Sequence, residues 1–365
     1  MAETNANTAA GVSAAETKEI PVLSVQDLHT SFFTDNGEVK AVNGISFDLY
    51  KGKVLGVVGE SGSGKSVTAY SIMQILAETG RVVEGKILYK GQDLLKYSKR
   101  QMEAFRGDKC SIIFQDPMTS LNPVFTIGYQ LNEALKLHTK YKTNKEASAR
   151  SIELLKMVGV NEPERRMKQY PHEFSGGMRQ RVMIAMALAC EPDILIADEP
   201  TTALDVTIQA QILELMKDLQ KQLGMAIILV THDLGVIASM CDEIIVMYGG
   251  SVCERGTADD IFYRPAHEYT KGLLRSIPNI NNMKEKLVPI SGSPINLLNI
   301  PRGCAFCTRC ENAMKICLEE KPQEELIGDG HYASCWMNVR KKLEAEGAFE
   351  KTASSTSQKR EEAAE

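Results

Sequence analysis

Hydrophobic positions in the first part of the chain fall into short runs that are rich in β-branched residues. Residues 22–28, 39–50 and 54–58 form such runs, and Asp35, Asn36 and Gly37 separate the first two. Runs of this length bounded by turn residues are typical of β-strands. The pattern therefore predicts three strands, with a turn between the first and the second.

A glycine-rich segment follows the third run directly. It reads Gly59, Glu60, Ser61, Gly62, Ser63, Gly64, Lys65, Ser66, and helical periodicity continues over residues 66–76. A strand, a glycine-rich turn and a helix in that order are the context of a phosphate-binding loop. Glycines let backbone N–H groups point at phosphate oxygens, and the helix adds its positive N-terminal end. We expect a nucleoside triphosphate site in which Lys65 reaches the β- and γ-phosphates and Ser66 ligates Mg²⁺.

Further along, a helix-rich stretch gives way to alternating strands and helices. Residues 127–191 carry helical periodicity, with an amphipathic segment at 145–158. Apolar runs at 193–197, 226–230 and 244–247 follow. The helix predicted between the first two of these runs has an apolar face made of Ile208, Ile212, Leu215, Leu219 and Leu223. Alternation of this kind predicts an α/β fold with helices on both faces of a sheet.

The two ends of the chain and the region after about Pro278 have a different composition. After Pro278 the sequence is rich in Pro, Asn, Gly and Cys and has little periodicity, which predicts a second, smaller module at 279–340. Residues 1–20, rich in Ala, Thr and Asn, and the charged residues 341–365 are predicted to be disordered or flexible tails.

Length, charge and hydropathy narrow the function classes. With 365 residues, two domains are the reasonable expectation. A formal net charge of −5 argues against nucleic acid as a partner. No apolar stretch is long enough to cross a bilayer, and the first twenty residues lack the pattern of a secretory signal. We therefore expect a cytoplasmic protein that reaches a membrane only through a partner.

Two more segments carry chemistry. Residues 194–197 form an apolar run that ends in Asp198 and Glu199. Asp198 suits Mg²⁺, and Glu199 at the strand end could activate a water as general base. Ser175 precedes Gly176 and Gly177 at the start of a predicted helix, where a serine cap and two glycines leave amides open to an anion.

In this order and spacing, the motifs resemble those of the ATP-binding cassette (ABC) ATPases over about residues 21–275. The resemblance implies a P-loop NTPase cassette with a mixed β-sheet core at 21–278 and a helical subdomain at about 116–190. It also implies that Gln115 contacts Mg²⁺ or water, that His232 lies near the γ-phosphate, and that Phe32 stacks on adenine, with Phe33 as the alternative. Asp205 would belong to the loop that meets a second subunit.

ABC cassettes work as head-to-tail pairs, so the resemblance further implies a partner ATPase subunit, expected to be a different chain. Ser175, Gly176, Gly177 and Asp205 would then act on the ATP held by that partner. The resemblance also implies two integral-membrane permease subunits, an extracytoplasmic solute-binding protein, and a peripheral position on the cytoplasmic face of the membrane.

Three longer segments resemble the ATPase subunits of oligopeptide and dipeptide importers: residues 114–123, 265–274 and 292–306. Nickel importers share parts of this pattern and remain an alternative. A soluble cassette ATPase in translation or DNA repair is a rival of another class, disfavoured by the single cassette, the acidic charge and the lack of a long heptad run. A module that holds ATP without turnover is disfavoured because both Glu199 and His232 are present.

Five cysteines crowd into about thirty residues near the C-terminal end. In a reducing cytoplasm such a cluster suggests a metal rather than disulfides. Some peptide-importer ATPases carry a [4Fe–4S] cluster, and the spacing of Cys304, Cys310, Cys317 and Cys335 resembles theirs. Four thiolates also suit a structural Zn²⁺. Cys307, which lies between Cys304 and Cys310, is another possible ligand.

Overall fold

The computed structural model describes residues 20–116, 120–202, 204–277 and 288–345. They form two β-sheets with helices packed around them. The larger sheet has eight strands in the order β11-β12-β10-β9-β3-β8-β7-β6. The smaller sheet has four, in the order β2-β1-β4-β5.

The centre of the larger sheet is parallel. Strands β9, β3, β8, β7 and β6 pair in parallel, whereas β10, β12 and β11 add antiparallel pairs at one edge. Parallel strands covered on both faces are expected to be continuous apolar runs, and all five residues of β3 are buried. The strands are β3 Val54–Val58, β6 Cys110–Ile113, β7 Ile194–Asp198, β8 Ala226–Thr231, β9 Glu243–Tyr248, β10 Ser251–Gly256, β11 Glu325–Gly328 and β12 His331–Ala333.

The smaller sheet is antiparallel throughout. Its strands are β1 Leu23–Thr34, β2 Gly37–Leu49, β4 Gly80–Tyr89 and β5 Gln92–Asp93. The predicted turn lies between β1 and β2. β1 continues six residues beyond its predicted end at Leu28, because register shifts next to Asp27 let the polar part of the strand keep pairing with β2. β4 was not predicted.

Twelve helices are seen in the described residues. They are Lys65–Met73, Lys99–Asp108, Ile127–His138, Asn144–Met157, Pro163–Arg166, Gly176–Ala187, Val206–Leu223, Leu234–Met240, Ala258–Tyr263, Glu268–Arg275, Lys315–Glu319 and Trp336–Ala345. Short 3-10 turns cover Leu94–Lys96 and Pro171–Glu173. In this part of the chain, none of the helices combines the length and the apolar character that crossing a membrane requires.

The helix predictions differ mainly at the ends. The segment predicted at 145–158 is the helix Asn144–Met157, which Thr143 begins with a capping box. The helix predicted at 66–76 ends earlier, at Met73, because Gln74 adopts a left-handed conformation with φ +49°. On Val206–Leu223 the buried face includes Leu213 and Met216, which the predicted face did not contain.

The C-terminal region packs onto the larger sheet. β12 pairs with β10, so the hairpin β11–β12 continues the sheet. Phe306 lies in a buried cluster with Tyr248 and Tyr269, at ring-centroid distances of 5.2 and 5.3 Å. The predicted boundary at Pro278 lies outside the described residues, as do 1–19 and 346–365 of the predicted tails. The helix Trp336–Ala345 extends five residues into the predicted tail 341–365.

Candidate functional site

The glycine-rich loop joins β3 to the helix Lys65–Met73, as predicted. Side chains are excluded at two of its glycines by close backbone approach. A Cβ atom on Gly59 would lie 2.2 Å from the carbonyl oxygen of Met247, and one on Gly64 would lie 2.5 Å from that of Ala41. Gly64 also has φ +102° and gives the helix no side-chain cap, so the first amides of the helix stay available to an anion.

Lys65 lies folded against its own loop. Its Nζ donates hydrogen bonds to the carbonyl oxygens of Gly59 (2.7 Å) and Glu60 (2.9 Å), and the residue is 5% exposed. Burial lowers the pKa of Lys65, whereas the nearby carboxylates of Glu199, Asp198 and Glu60 raise it. The Lys65 ammonium group therefore lies near three carboxylates, where it can meet the negative charge of a phosphate.

Ser66 and Asp198 face each other across the loop. The Ser66 hydroxyl donates to Asp198 Oδ1 at 2.8 Å. Asp198 is 1% exposed, and its Oδ2 is buried without a hydrogen-bond partner among the described residues. Burial raises the pKa of Asp198, against the effect of the Ser66 and Tyr70 hydroxyls. A hydroxyl next to a buried carboxylate oxygen without a partner fits the oxygen ligands that Mg²⁺ prefers.

The Glu199 carboxylate is contacted by residues that follow two neighbouring strands. Its Oε2 accepts hydrogen bonds from Gln115 Nε2 and from the Thr202 hydroxyl, both at 2.9 Å. Its Oε1 lies 3.2 Å from His232 Nδ1. Gln115 follows β6, Glu199 follows β7 and His232 follows β8, so parallel pairing brings all three to one edge of the sheet. The arrangement can hold and polarise a water molecule at a carboxylate.

The predicted contact points for a second subunit lie at two other helix starts. Ser175 caps the helix Gly176–Ala187, and Asp205 caps Val206–Leu223 by accepting from the N–H of Ile208 at 3.0 Å. A Cβ on Gly177 would lie 2.7 Å from Ile208, so these two helix starts pack together. Ala203, two positions before Asp205 in the sequence, lies outside the described residues.

The two candidate adenine-stacking residues differ in environment. Phe32 is half-buried on β1 and packs on Gly80, where an added Cβ would come within 2.6 Å of its ring. Phe33 is 39% exposed, and the guanidinium of Arg81 lies 4.1 Å from its ring centroid. Both residues lie near the C-terminal end of β1, at the end of the smaller sheet.

Residues of the C-terminal region contact the phosphate loop, which the sequence did not indicate. Arg309 forms a two-pronged ion pair with Glu60, and the N–H of Glu60 donates to the Tyr269 hydroxyl at 2.8 Å. Both contacts join residues more than 200 positions apart. Arg309 belongs to none of the segments that carry the family resemblance, and Tyr269 lies in the segment 265–274 without a predicted role, so no local signal indicated either contact.

The predicted metal ligands Cys304, Cys310, Cys317 and Cys335, with Cys307, do not form a metal site in this structure. They lie close enough to influence one another electrostatically, and Cys253 on β10 lies beside them. Burial raises the pKa of Cys304 to about 12. Within the described ranges, no three His, Cys, Asp or Glu side chains are arranged to hold a metal ion. The prediction of an iron–sulfur cluster or Zn²⁺ is therefore not supported here.

The chain matches two protein-family models. Residues 42–202 match the family described as ABC transporter. Residues 253–317 match the family described as the C-terminal region of oligopeptide/dipeptide transporters. The second match begins on β10, in the larger sheet, and includes Arg309.

Among curated proteins, the chain is 54% identical to the dipeptide transport ATP-binding protein DppD of Bacillus subtilis over 317 residues, which are 87% of this chain and 94% of that protein. It is 48% identical to the oligopeptide transport ATP-binding protein OppD of Escherichia coli, over 92% of this chain and 98% of that protein. Among solved structures, it resembles the dimeric ATP-binding cassette MJ0796 bound to ADP and phosphate, with a TM-score of 0.59 and 27% identity over 65% of this chain and 98% of that one.

Proposed function

Since this chain belongs to the family of ABC transporter ATPases, we propose that it is the ATP-hydrolysing subunit of a di- or oligopeptide importer. Its relatives are named as dipeptide and oligopeptide transport ATP-binding proteins, and it has the C-terminal region of that group. The observation that carries the catalytic part is the meeting of Gln115 and His232 on Glu199, beside the phosphate loop.

In this proposal the loop formed by Gly59, Glu60, Ser61, Gly62, Ser63, Gly64, Lys65 and Ser66 binds the triphosphate. Lys65 exchanges its bonds to the Gly59 and Glu60 carbonyls for bonds to the β- and γ-phosphates. Ser66, Asp198 and Gln115 would hold Mg²⁺, supported by the buried Oδ2 of Asp198 that has no partner. When bound, the ion neutralises negative charge on the phosphates.

Glu199 acts as general base toward the attacking water. Its carboxylate is held from two sides, by Gln115 and Thr202 on one oxygen and by His232 near the other. Gln115 and His232 therefore orient Glu199. We further expect Gln115 to contact Mg²⁺ or the water, and His232 to lie near the γ-phosphate. Phe32, or Phe33 in its place, stacks on the adenine ring.

Hydrolysis requires a second ATPase subunit, which we expect to be a different chain. Ser175, Gly176, Gly177 and Asp205 would contact the nucleotide of that partner. Support comes from Ser175 and Asp205 capping two helix starts that pack together. The other partners are two integral-membrane permeases and an extracytoplasmic solute-binding protein, which would hold the chain at the cytoplasmic face of the membrane. Nucleic acid has no part in this function.

The cysteine-rich segment at 279–340 carries a separate proposal, supported by sequence spacing alone. A [4Fe–4S] cluster, or alternatively Zn²⁺, would bind Cys304, Cys310, Cys317 and Cys335. Purification without oxygen followed by iron, sulfide and zinc analysis tests it. Stoichiometric metal that disappears when Cys310 and Cys317 are changed to serine would support the proposal, and metal-free protein would remove it.

The central experiment replaces Lys65 in the assembled transporter. We expect Lys65→Ala to abolish ATP-dependent uptake of a labelled dipeptide into reconstituted vesicles that hold ATP in the lumen, because the phosphates lose their cation. Lys86→Ala is the matched control, since Lys86 is exposed on β4. Normal uptake with Lys65→Ala would refute the assignment of the site. Uptake of Ni²⁺ instead of peptide would refute the assignment of peptide as the transported substrate.

A further inference from the structure

The C-terminal region reaches into the phosphate loop through one arginine. We propose that Arg309 is a positioning residue of the ATP site, which acts through Glu60 by cancelling its charge and fixing its backbone. The proposal rests on the assignment of residues 59–66 as the triphosphate-binding loop and adds a function for the C-terminal region in nucleotide affinity.

The contact is built as a rigid fork rather than a loose surface pair. Arg309 Nη1 lies 2.5 Å from Glu60 Oε2, and Nη2 lies 3.1 Å from Oε1. Its Nε donates to the carbonyl oxygen of Ser291 at 3.0 Å, and Nη2 also donates to that of Ile290 at 3.2 Å. The Arg309 side chain is 4% exposed. A two-pronged pair whose arginine is buried, and whose other contacts are two backbone carbonyls and the Tyr248 hydroxyl, has one geometry.

Glu60 is also the residue whose backbone holds Lys65. The Glu60 carbonyl oxygen accepts one of the two hydrogen bonds from Lys65 Nζ, and the Glu60 N–H donates to the Tyr269 hydroxyl. Tyr269 is fully buried and packs on Phe306, as Arg309 does, so the contacts to the Glu60 backbone and to its side chain come from one cluster. Arg309 and Tyr269, both from outside the loop, therefore hold Glu60, whose backbone carbonyl Lys65 would leave in order to bind the phosphates.

Charge gives the contact a functional consequence. The Glu60 carboxylate lies close enough to Lys65 to affect its pKa, so it also lies close to the phosphates that Lys65 would bind. A carboxylate close to the bound phosphates repels a triphosphate unless a cation neutralises the carboxylate. Arg309 is the cation in contact with it, and the loop thereby keeps the positive character that anion binding needs.

A purely structural ion pair predicts a different pattern of mutant effects. If Arg309 only stapled the C-terminal region in place, removal of either partner would weaken ATP binding to a similar extent, in proportion to the loss of stability. If Arg309 neutralises Glu60, only the variant that leaves Glu60 charged and unpaired loses affinity. Removal of both charges together then restores it.

The experiment measures Mg-ATP binding by the full chain, with melting temperatures in parallel. Arg309→Met keeps the apolar stem next to Phe306 and should raise the dissociation constant roughly tenfold. Glu60→Gln should bind ATP more tightly than the unchanged chain, because it removes the negative charge and leaves the Arg309 cation unpaired. The double variant should return to within about threefold of it, and Arg309→Lys should recover most of the affinity because it keeps the charge.

The control is Arg302→Met, which changes an exposed arginine of the same region. If Arg309→Met does not fold, Arg309→Gln makes the same comparison, because its amide nitrogen takes the position of the arginine Nε and can still donate to the Ser291 carbonyl. Unchanged affinity in the neutral Arg309 variant overturns the proposal, as does a double variant as weak as the single one. Failure of the unchanged chain to bind ATP would instead refute the proposed function.

Discussion

His267 couples the stability of the fold to pH, and the structure specifies the direction. The residue is 2% exposed and caps the helix Glu268–Arg275, where its Nδ1 accepts the N–H of Tyr269 at 3.0 Å. An accepting nitrogen must be unprotonated. Burial lowers the pKa of His267 to about 4, whereas Glu268 raises it and Lys271 lowers it further.

The magnitude follows from the difference between the folded and unfolded states. The pKa falls from 6.5 in the unfolded chain to about 4 in the folded one. Between these values the unfolded state binds a proton and the folded state does not, so stability rises with pH across this window. The full stability is present above pH 6.5, and about 3 kcal/mol of it is lost by pH 4.

His267→Asn tests this reasoning in the full chain. Asparagine keeps a cap oxygen for the N–H of Tyr269 but does not titrate. We expect urea unfolding curves recorded from pH 7.5 to pH 4 to show that the unchanged chain loses about 3 kcal/mol more than the variant. His172→Asn, at an exposed histidine, is the control and should behave like the unchanged chain.

An unfolding free energy that changes with pH to the same extent in the unchanged chain and in His267→Asn would refute the argument, because His267 would then have the same pKa in the folded and unfolded states. A difference confined to pH values above 6.5 would also contradict it. The Tyr269 hydroxyl accepts a hydrogen bond from the Glu60 N–H. Protonation of His267 between pH 6.5 and pH 4 should destabilise the start of the helix that carries Tyr269, and ATP binding should weaken over the same pH range.

Three further predictions follow from single contacts. Glu199→Gln should keep ATP binding but lower the turnover number of the assembled ATPase by roughly 10²–10⁴, the usual effect of losing a general base, whereas Glu153→Gln, at an exposed helix position, should leave it unchanged. Gly59→Ala should abolish ATP binding, measured by calorimetry, because its Cβ would lie 2.2 Å from the Met247 carbonyl oxygen. Thr143→Ala should lower the unfolding free energy by about 1 kcal/mol through loss of the capping box, with ATPase activity retained.

The sequence was informative wherever structure follows from neighbouring residues. β3 was predicted with its observed bounds because five buried apolar residues lie directly before a glycine-rich turn. The helix Asn144–Met157 was predicted to within one residue at each end because its amphipathic period is clear, whereas its cap at Thr143 was not predicted. The roles proposed for Gln115 and His232 came from resemblance to a family, since each residue alone is an ordinary polar residue after a strand.

Tertiary structure decided the contacts between distant segments. The order β3-β8-β7-β6 brings Gln115 and His232 onto Glu199, and no local pattern states that order. Arg309 meets Glu60 across 249 residues of chain because the C-terminal region packs on the edge of the same sheet. Periodicity tells which side of a segment is buried, but the segment that covers it is chosen by packing of the whole chain.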